Sequence, residues 1–142
     1  ERYGYGSSNL QGWGAREQML GDALSQSNIL TTTTLDGTKK RLYLATKFAP
    51  SPLRTTPQSV VQACRESIQR LQTPTLDLYQ LHYPDKPNFW GKTNDEVYWE
   101  GLAQCYHDGL VSNIGVCNYG PTMIQRAHEE LTIKRGVPIV SN

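Results

Sequence analysis

Polar side chains stand directly behind three apolar runs of the sequence. Lys47 follows one run, His82 follows a second, and the pair Cys117-Asn118 follows a third. In folds built on parallel strands, the active site lies at the carboxyl ends of the strands. An ammonium, an imidazole and a carboxamide at three successive strand ends therefore indicate one shared functional site.

Each of these side chains also has an ordinary structural interpretation. Lysine usually lies solvated on the surface, a lone histidine can be a core residue with a hydrogen-bonded ring, and asparagine is a good helix N-cap. Lys47 follows strand-forming residues, which argues against a loop, and Pro121 indicates that the next helix starts beyond Asn118. For His82 both interpretations stay open.

The elements that would position these side chains alternate along the chain. Apolar spacing predicts helices over residues 15–26, 57–71, 94–109 and 121–134, and strands over 41–48, 75–82, 111–117 and 137–141. Thr56 before Pro57 predicts the N-cap of the second helix. The polar segment Thr31–Lys40 is predicted to be an exposed loop. The apolar face of the first helix is predicted to contain Met19, Leu20, Ala23 and Leu24.

Strands that alternate with helices in this way form βαβ units and a parallel sheet. Two closures are compatible with the pattern: an open, doubly wound sheet or a (β/α)₈ barrel. A full barrel needs about 250 residues, so a chain of 142 residues would be roughly half of one.

The composition is that of a globular domain. Of the 142 residues 37% are apolar, and 14 basic and 13 acidic residues give a formal net charge of +1. This balance gives no case for nucleic acid as a partner, and no apolar run approaches the roughly 20 residues that cross a bilayer. Cys64, Cys105 and Cys117 form no CxxC pair, so we expect a reducing compartment and no metal site. Cys64 and Cys105 are predicted to be packing residues.

The usual glycine fingerprints of nucleotide binding are missing. Gly4-Tyr5-Gly6 and Gly12-Trp13-Gly14 each begin a GxG pattern, but Asn9 and Glu17 stand where the third glycine would be. Neither pattern follows a predicted strand, and the sequence has no P-loop and no GxSxG motif. A dinucleotide, if one binds, is held in another way.

An ordered set of short motifs resembles the aldo-keto reductases. The matching segments are Glu1-Arg2-Tyr3-Gly4, Ala45-Thr46-Lys47, Asp77-Leu78-Tyr79-Gln80-Leu81-His82 and Gly115-Val116-Cys117-Asn118. Each motif is weak alone, but their order and spacing are specific. The resemblance implies an α/β fold, a partial (β/α)₈ TIM barrel. We expect residues 1–142 to be a single domain from the central part of that barrel.

The resemblance also implies a role for each site residue. NADPH would be the cofactor, and a small-molecule aldehyde or ketone the substrate. Tyr3 would donate a proton, Lys47 would lower the pKa of that phenol, and His82 would orient the carbonyl oxygen. Asn118 and Cys117 would hold the nicotinamide carboxamide. The family has a serine in place of Cys117, and a thiol is the weaker hydrogen-bond partner.

Some assignments have competitors. Tyr5 also precedes a glycine, and only the register against the family motif favours Tyr3 as the proton donor. Phe48, Tyr83 and Trp90 follow strand ends and are candidates for the wall of an apolar pocket. The family's catalytic aspartate would lie three residues before Glu1, outside this sequence.

Two other functions stay open. A regulatory subunit on the same fold, similar to the potassium-channel β-subunits, would bind the cofactor without needing turnover. Lys47 could also form a Schiff base in an aldolase, although the tyrosine and histidine fit reductase chemistry better. The resemblance to plant and algal chloroplast-type members leaves the cytoplasm and the chloroplast as the expected compartments.

Overall fold

Helices and short strands alternate along the chain. The computed structural model describes residues 10–27, 31–33 and 39–142, with side chains described over 14–26 and 41–142. The elements in order are α1 (Leu10–Ser27), β1 (Thr31–Thr33), β2 (Lys39–Arg41), β3 (Ala45–Phe48), α2 (Pro57–Leu71), β4 (Leu78–Leu81), α3 (Asp95–His107), β5 (Ile114–Val116) and α4 (Pro121–His128), the last continued by a π-helical turn, Glu129–Ile133.

The central sheet is parallel and has the strand order β3-β4-β5. Lys47 pairs with Gln80, and Gln80 pairs with Gly115. An isolated parallel bridge from Ile114 to Ile139 continues the sheet beyond β5. The predicted α/β class with parallel strands is therefore confirmed. The strands are shorter than predicted: β3, β4 and β5 occupy later residues of the predicted ranges 41–48, 75–82 and 111–117. The predicted strand 137–141 contributes one bridge.

The core lies between the sheet and α2 and α3. α2 begins as predicted, with Thr56 as N-cap: its Oγ1 accepts a hydrogen bond from the Ser59 N–H at 3.2 Å, and Pro57 is the first helical residue. The buried set on these two helices includes both cysteines predicted to be packing residues. Its main members are Val60, Cys64, Leu71, Tyr98, Trp99, Leu102 and Cys105.

The apolar face predicted for α1 is wrong. Met19 is 71% exposed and Leu20 and Ala23 are also exposed, whereas Leu24 is buried. The helix docks instead through Gly21, where a Cβ atom would lie 2.1 Å from the Arg70 carbonyl oxygen of α2. The absence of a side chain at Gly21 thus lets the two backbones approach, and this contact decides which face of α1 is buried.

Two further predictions of local structure need correction. Thr31–Lys40 was expected to be a loop, but β1 and β2 pair as an antiparallel ladder in which Thr31 is opposite Arg41. Thr is a strand-forming residue, and in the described part of this segment Thr31, Thr32 and Thr33 pair with Arg41, Lys40 and Lys39. The helix predicted over 121–134 is α-helical only to His128 and then widens into the π-helical turn.

Within the described ranges, no helix combines the length and the apolar character needed to cross a bilayer.

Candidate functional site

Lys47 and His82 lie on the same face of the sheet, at the carboxyl ends of adjacent strands. Lys47 is paired with Gln80, and His82 follows Gln80 by two residues, so all three side chains project to one side. Residues offset diagonally by two positions on neighbouring strands are within reach of long side chains. The backbone N–H of His82 donates to the Phe48 carbonyl oxygen at 2.8 Å, which continues the ladder past both strand ends.

The environment of His82 favours its neutral form. The side chain is half-buried, and its ring packs at 5.3 Å from the ring of Tyr83. Burial, followed by repulsion from the Lys47 ammonium, lowers the pKa of His82 from its ordinary value of 6.5. At neutral pH the imidazole is therefore uncharged, with one N–H available as a donor.

Asn118 is tied to the end of the neighbouring strand. Its Nδ2 donates to the carbonyl oxygen of His82 at 2.8 Å and contacts Cys117 Sγ at 3.4 Å. It does not cap α4, whose N-cap is Gly120. Asn118 has a left-handed backbone with φ of +62°, a conformation that asparagine tolerates better than most residues. The ordinary N-cap interpretation of Asn118 is therefore wrong.

The opposite face of β3 is held by a charged cluster. Thr46 Oγ1 donates to Glu17 Oε1 at 2.5 Å, and Arg70 Nε donates to Glu17 Oε2 at 2.8 Å. Glu17 therefore joins α1, β3 and α2 directly behind Lys47. Glu17 and Arg70, together with Lys47, line a cavity of about 290 Å³ that also reaches the buried Tyr79.

The other predicted site residues differ in how they are placed. Lys47, His82, Cys117 and Asn118 are brought together, whereas Tyr3 and its competitor Tyr5 lie outside the described residues. Phe48 cannot line a pocket on this face, because it points the opposite way from Lys47. It is 1% exposed and packs at 5.3 Å from the ring of Tyr98 in the core. Its assignment as a pocket wall was wrong by one step of the strand alternation.

Two aromatic side chains project from the loop after β4. Phe89 and Trp90 are 95% and 78% exposed and contact each other edge-to-face at 5.7 Å. Tyr83 lies closer to His82 and donates from its hydroxyl to the Pro50 carbonyl oxygen at 3.3 Å. This loop begins at the carboxyl end of the strand that carries His82.

Sequence reasoning missed a hydrogen-bonded group behind Asn118. Trp99 Nε1 donates to the Tyr119 hydroxyl at 3.1 Å, and that hydroxyl donates to Asp95 Oδ1 at 3.2 Å. The sequence signal available was Asp95 itself, an acidic residue in the first turn of α3, where negative charge suits the helix dipole. Within the part of the chain described here, no group of three or more His, Cys, Asp or Glu side chains is placed to hold a metal ion.

Comparison with known proteins places this geometry in a family. The model of the aldo/keto reductase family matches residues 3–142. The chain belongs to this family. Pyridoxal reductase, chloroplastic, from Arabidopsis thaliana is 38% identical over 137 residues, covering 96% of this chain and 35% of the relative. An NADP-dependent D-sorbitol-6-phosphate dehydrogenase from Malus domestica is 40% identical over 78 residues, covering 42% of this chain and 25% of that enzyme.

Solved aldo/keto reductases share the fold of this family member. The Bombyx mori enzyme, crystallised in complex with NADP, matches 80% of this chain and 36% of its own length with a TM-score of 0.62 and 24% identity. An aldose reductase from Giardia lamblia matches 89% of this chain and 44% of its own length, with a TM-score of 0.66 and 22% identity. The neighbours are TIM barrels, so the barrel, not the open doubly wound sheet, is the correct closure. This chain matches between a quarter and about a third of the length of these curated relatives.

Proposed function

We propose that this chain is the central part of an NADPH-dependent reductase that converts aldehydes or ketones to alcohols. The observation that carries the proposal is the placement of Lys47 and His82 on one face of the sheet, at the ends of adjacent strands. Asn118 joins them through its hydrogen bond to the His82 carbonyl oxygen. NADP is supported as cofactor by the Bombyx mori complex and by the name of the Malus domestica relative. We further propose that residues 1–142 lie within a single barrel domain.

The polar groups beside His82 suit the carboxamide of a nicotinamide. The Nδ2 of Asn118 is already used by the His82 carbonyl oxygen, which leaves Oδ1 as the acceptor for a carboxamide N–H. Cys117, next to it, offers a thiol where the family has a hydroxyl. When bound, NADPH supplies the hydride that adds to the carbonyl carbon.

The remaining chemistry is proton transfer to the carbonyl oxygen. Tyr3 donates that proton in our proposal. A free phenol has a pKa of about 10, and the Lys47 ammonium lowers the pKa of the nearby phenol by favouring phenolate. His82, neutral because of burial and Lys47, donates an N–H hydrogen bond to the same oxygen and stabilises the charge that builds there.

The loop after β4 supports an apolar wall for the substrate. Tyr83 and Trp90 retain the role proposed for them, because the loop that carries them starts beside His82.

Pyridoxal is an aldehyde, so the name of the Arabidopsis thaliana relative makes it the first substrate to test. The chloroplastic label of that relative favours the plastid over the cytoplasm as the compartment.

The test is NADPH oxidation by the full-length protein with a panel of aldehydes that includes pyridoxal. The wild-type protein should oxidise NADPH with at least one of these aldehydes. Lys47→Met and Tyr3→Phe should each lower kcat by roughly 10²–10⁴-fold, the rate enhancement that general acid catalysis typically contributes. NADPH affinity should stay near wild type in Tyr3→Phe. Lys92→Met, which removes an exposed lysine from the loop before α3, is the control and should be fully active.

Two results would reject the reductase. Tight NADPH binding without turnover of any aldehyde or ketone would indicate a regulatory subunit, a function that the reductases and dehydrogenase found by comparison do not favour. Borohydride trapping of substrate on Lys47 would indicate a Schiff-base aldolase.

A further inference from the structure

Tyr119, the residue after Asn118, is held at both its backbone and its side chain. Its N–H donates to Asn142 Oδ1 at 3.1 Å, and its carbonyl oxygen accepts from Asn142 Nδ2 at 3.1 Å. Its hydroxyl accepts from Trp99 and donates to Asp95, as described above. Tyr119 is therefore fixed against α3 on one side and against the segment after the Ile139 bridge on the other.

The hydroxyl of Tyr119 is a donor to a strong acceptor. Asp95 is 1% exposed, and its Oδ1 also accepts from the Asp85 N–H at 3.0 Å. Burial, and then the Asp95 carboxylate, raise the pKa of Tyr119, so the phenol stays protonated. Hydrogen bonds to a carboxylate are stronger than neutral ones, and they hold the ring in one orientation.

Asn118 needs such support. Only two non-glycine residues with positive φ occur among the described residues, and the other, Gln72, is the C-cap of α2, where this conformation is common. Asn118 lies at no helix terminus. A left-handed non-glycine residue persists when its surroundings fix it. Here the side chain of Asn118 is held by the His82 carbonyl oxygen. The peptide group that follows Asn118 is held through the Tyr119 N–H, which donates to Asn142.

We propose that Tyr119 is a positioning residue that holds the nicotinamide end of the cofactor through the backbone of Asn118. This inference rests on the proposed role of Asn118 as the carboxamide contact. If the Tyr119 anchor is lost, Asn118 relaxes from its left-handed conformation and its Oδ1 no longer sits where a carboxamide N–H can reach it. The affinity for a cofactor fragment that lacks nicotinamide should not change.

The experiment measures the affinity of the full-length protein for NADPH and for adenosine 2′,5′-bisphosphate, the fragment that lacks nicotinamide. Tyr119→Phe should weaken NADPH binding about tenfold, the cost of one such hydrogen bond, and leave the fragment affinity unchanged. Asp95→Asn keeps an oxygen acceptor and should give a smaller loss in the same direction. Tyr98→Phe is the matched control, because it removes a buried phenolic hydroxyl from α3, the helix whose Asp95 and Trp99 hold Tyr119.

A double-mutant cycle with Asn118→Ala shows whether Tyr119 acts through Asn118. In the Asn118→Ala background, Tyr119→Phe should cause no further loss of NADPH affinity. An equal loss for NADPH and for the fragment, a full loss in the Asn118→Ala background, or no loss at all would overturn the inference. If Asn118→Ala itself binds NADPH like wild type, or if the wild type binds no NADPH, the proposed function fails as well.

Discussion

The side-chain amide of Asn118 donates to the backbone carbonyl oxygen of His82 at 2.8 Å. One hydrogen bond therefore couples the ends of β4 and β5, and it links the residue proposed to orient the substrate with the one proposed to hold the cofactor. The link depends on the left-handed backbone of Asn118, since this conformation directs the amide back toward the neighbouring strand.

Substitution of Asn118 should separate the backbone conformation from the amide contact. Asn118→Gly and Asn118→Ala both remove the amide, and both should lose NADPH affinity to the same degree. Glycine accepts positive φ without steric cost, whereas alanine does not, so the alanine variant should be less stable by about 1 kcal/mol. Urea unfolding of the two full-length variants measures this difference, and equal stabilities would contradict it.

The charge of Lys47 should be visible in the titration of His82. Replacing Lys47 by Met removes the repulsion and should raise the pKa of His82, although not to 6.5, because burial is the larger cause of the shift. NMR titration of the imidazole ring measures the shift. Lys92→Met should leave the His82 titration unchanged, and an unchanged titration in Lys47→Met would place the ammonium elsewhere.

The same shift makes folding stability depend on pH. A histidine whose folded pKa is lowered binds its proton more weakly in the folded than in the unfolded chain. The contribution of neutral His82 to folding stability is therefore fully present above pH 6.5, and it is lost as the pH falls through the folded pKa of His82. Lys47→Met should reduce this loss, measured as the difference between its urea unfolding at neutral pH and below pH 6.5.

Local sequence information was sufficient for part of this site. Lys47 and His82 could be placed at strand ends because strand endings and alternation depend on a few neighbouring residues. Phe48 was misplaced because one step along a strand reverses the face. Met19 was misplaced because apolar spacing does not say which contact docks a helix, and the close approach at Gly21 does.

The hydrogen bonds behind Asn118 could not be predicted from spacing. Tyr119 and Asp95 are 24 residues apart in sequence, and nothing local distinguishes an aspartate that interacts with the helix dipole from one that accepts a buried phenol. Their contact exists only because α3 packs against the end of β5. Such long-range polar pairs follow from the tertiary fold and not from any motif.

Glu17 should contribute more to stability than a second glutamate near the same arginine. Glu17 is largely buried and accepts from both Thr46 and Arg70, so Glu17→Gln should cost about 1–3 kcal/mol of unfolding free energy. Glu66 is more exposed and lies 4.0 Å from Arg70, so Glu66→Gln should change it by less than about 0.5 kcal/mol. Urea unfolding at low salt compares the two, and equal effects would show that Glu17 does not hold β3.

Gly115 should tolerate no side chain, because Ser141 occupies the space that a Cβ atom at this position would need. A Cβ atom there would lie 2.2 Å from Ser141 Oγ and 3.0 Å from the Ser141 carbonyl oxygen, and Ser141 Oγ is also held by Gln80 Nε2 at 3.0 Å. Gly115→Ala should therefore destabilise the full-length protein by about 1–3 kcal/mol through overpacking.

Two comparisons isolate this clash. Ser141→Ala removes the nearest atom, so the double variant Gly115→Ala, Ser141→Ala should recover part of the loss, but not all, because the backbone carbonyl oxygen remains. Gly120→Ala adds the same methyl group where no atom lies within 4 Å, at a φ of −78° that alanine adopts freely. Because Gly120 is the N-cap of α4, where alanine is less favourable than glycine, this variant should still cost up to about 1 kcal/mol, which is less than the loss in Gly115→Ala. If Gly115→Ala is as stable as Gly120→Ala, the strand ends are not packed as closely as the distances indicate, and the fixed spacing of His82 and Asn118 loses its support.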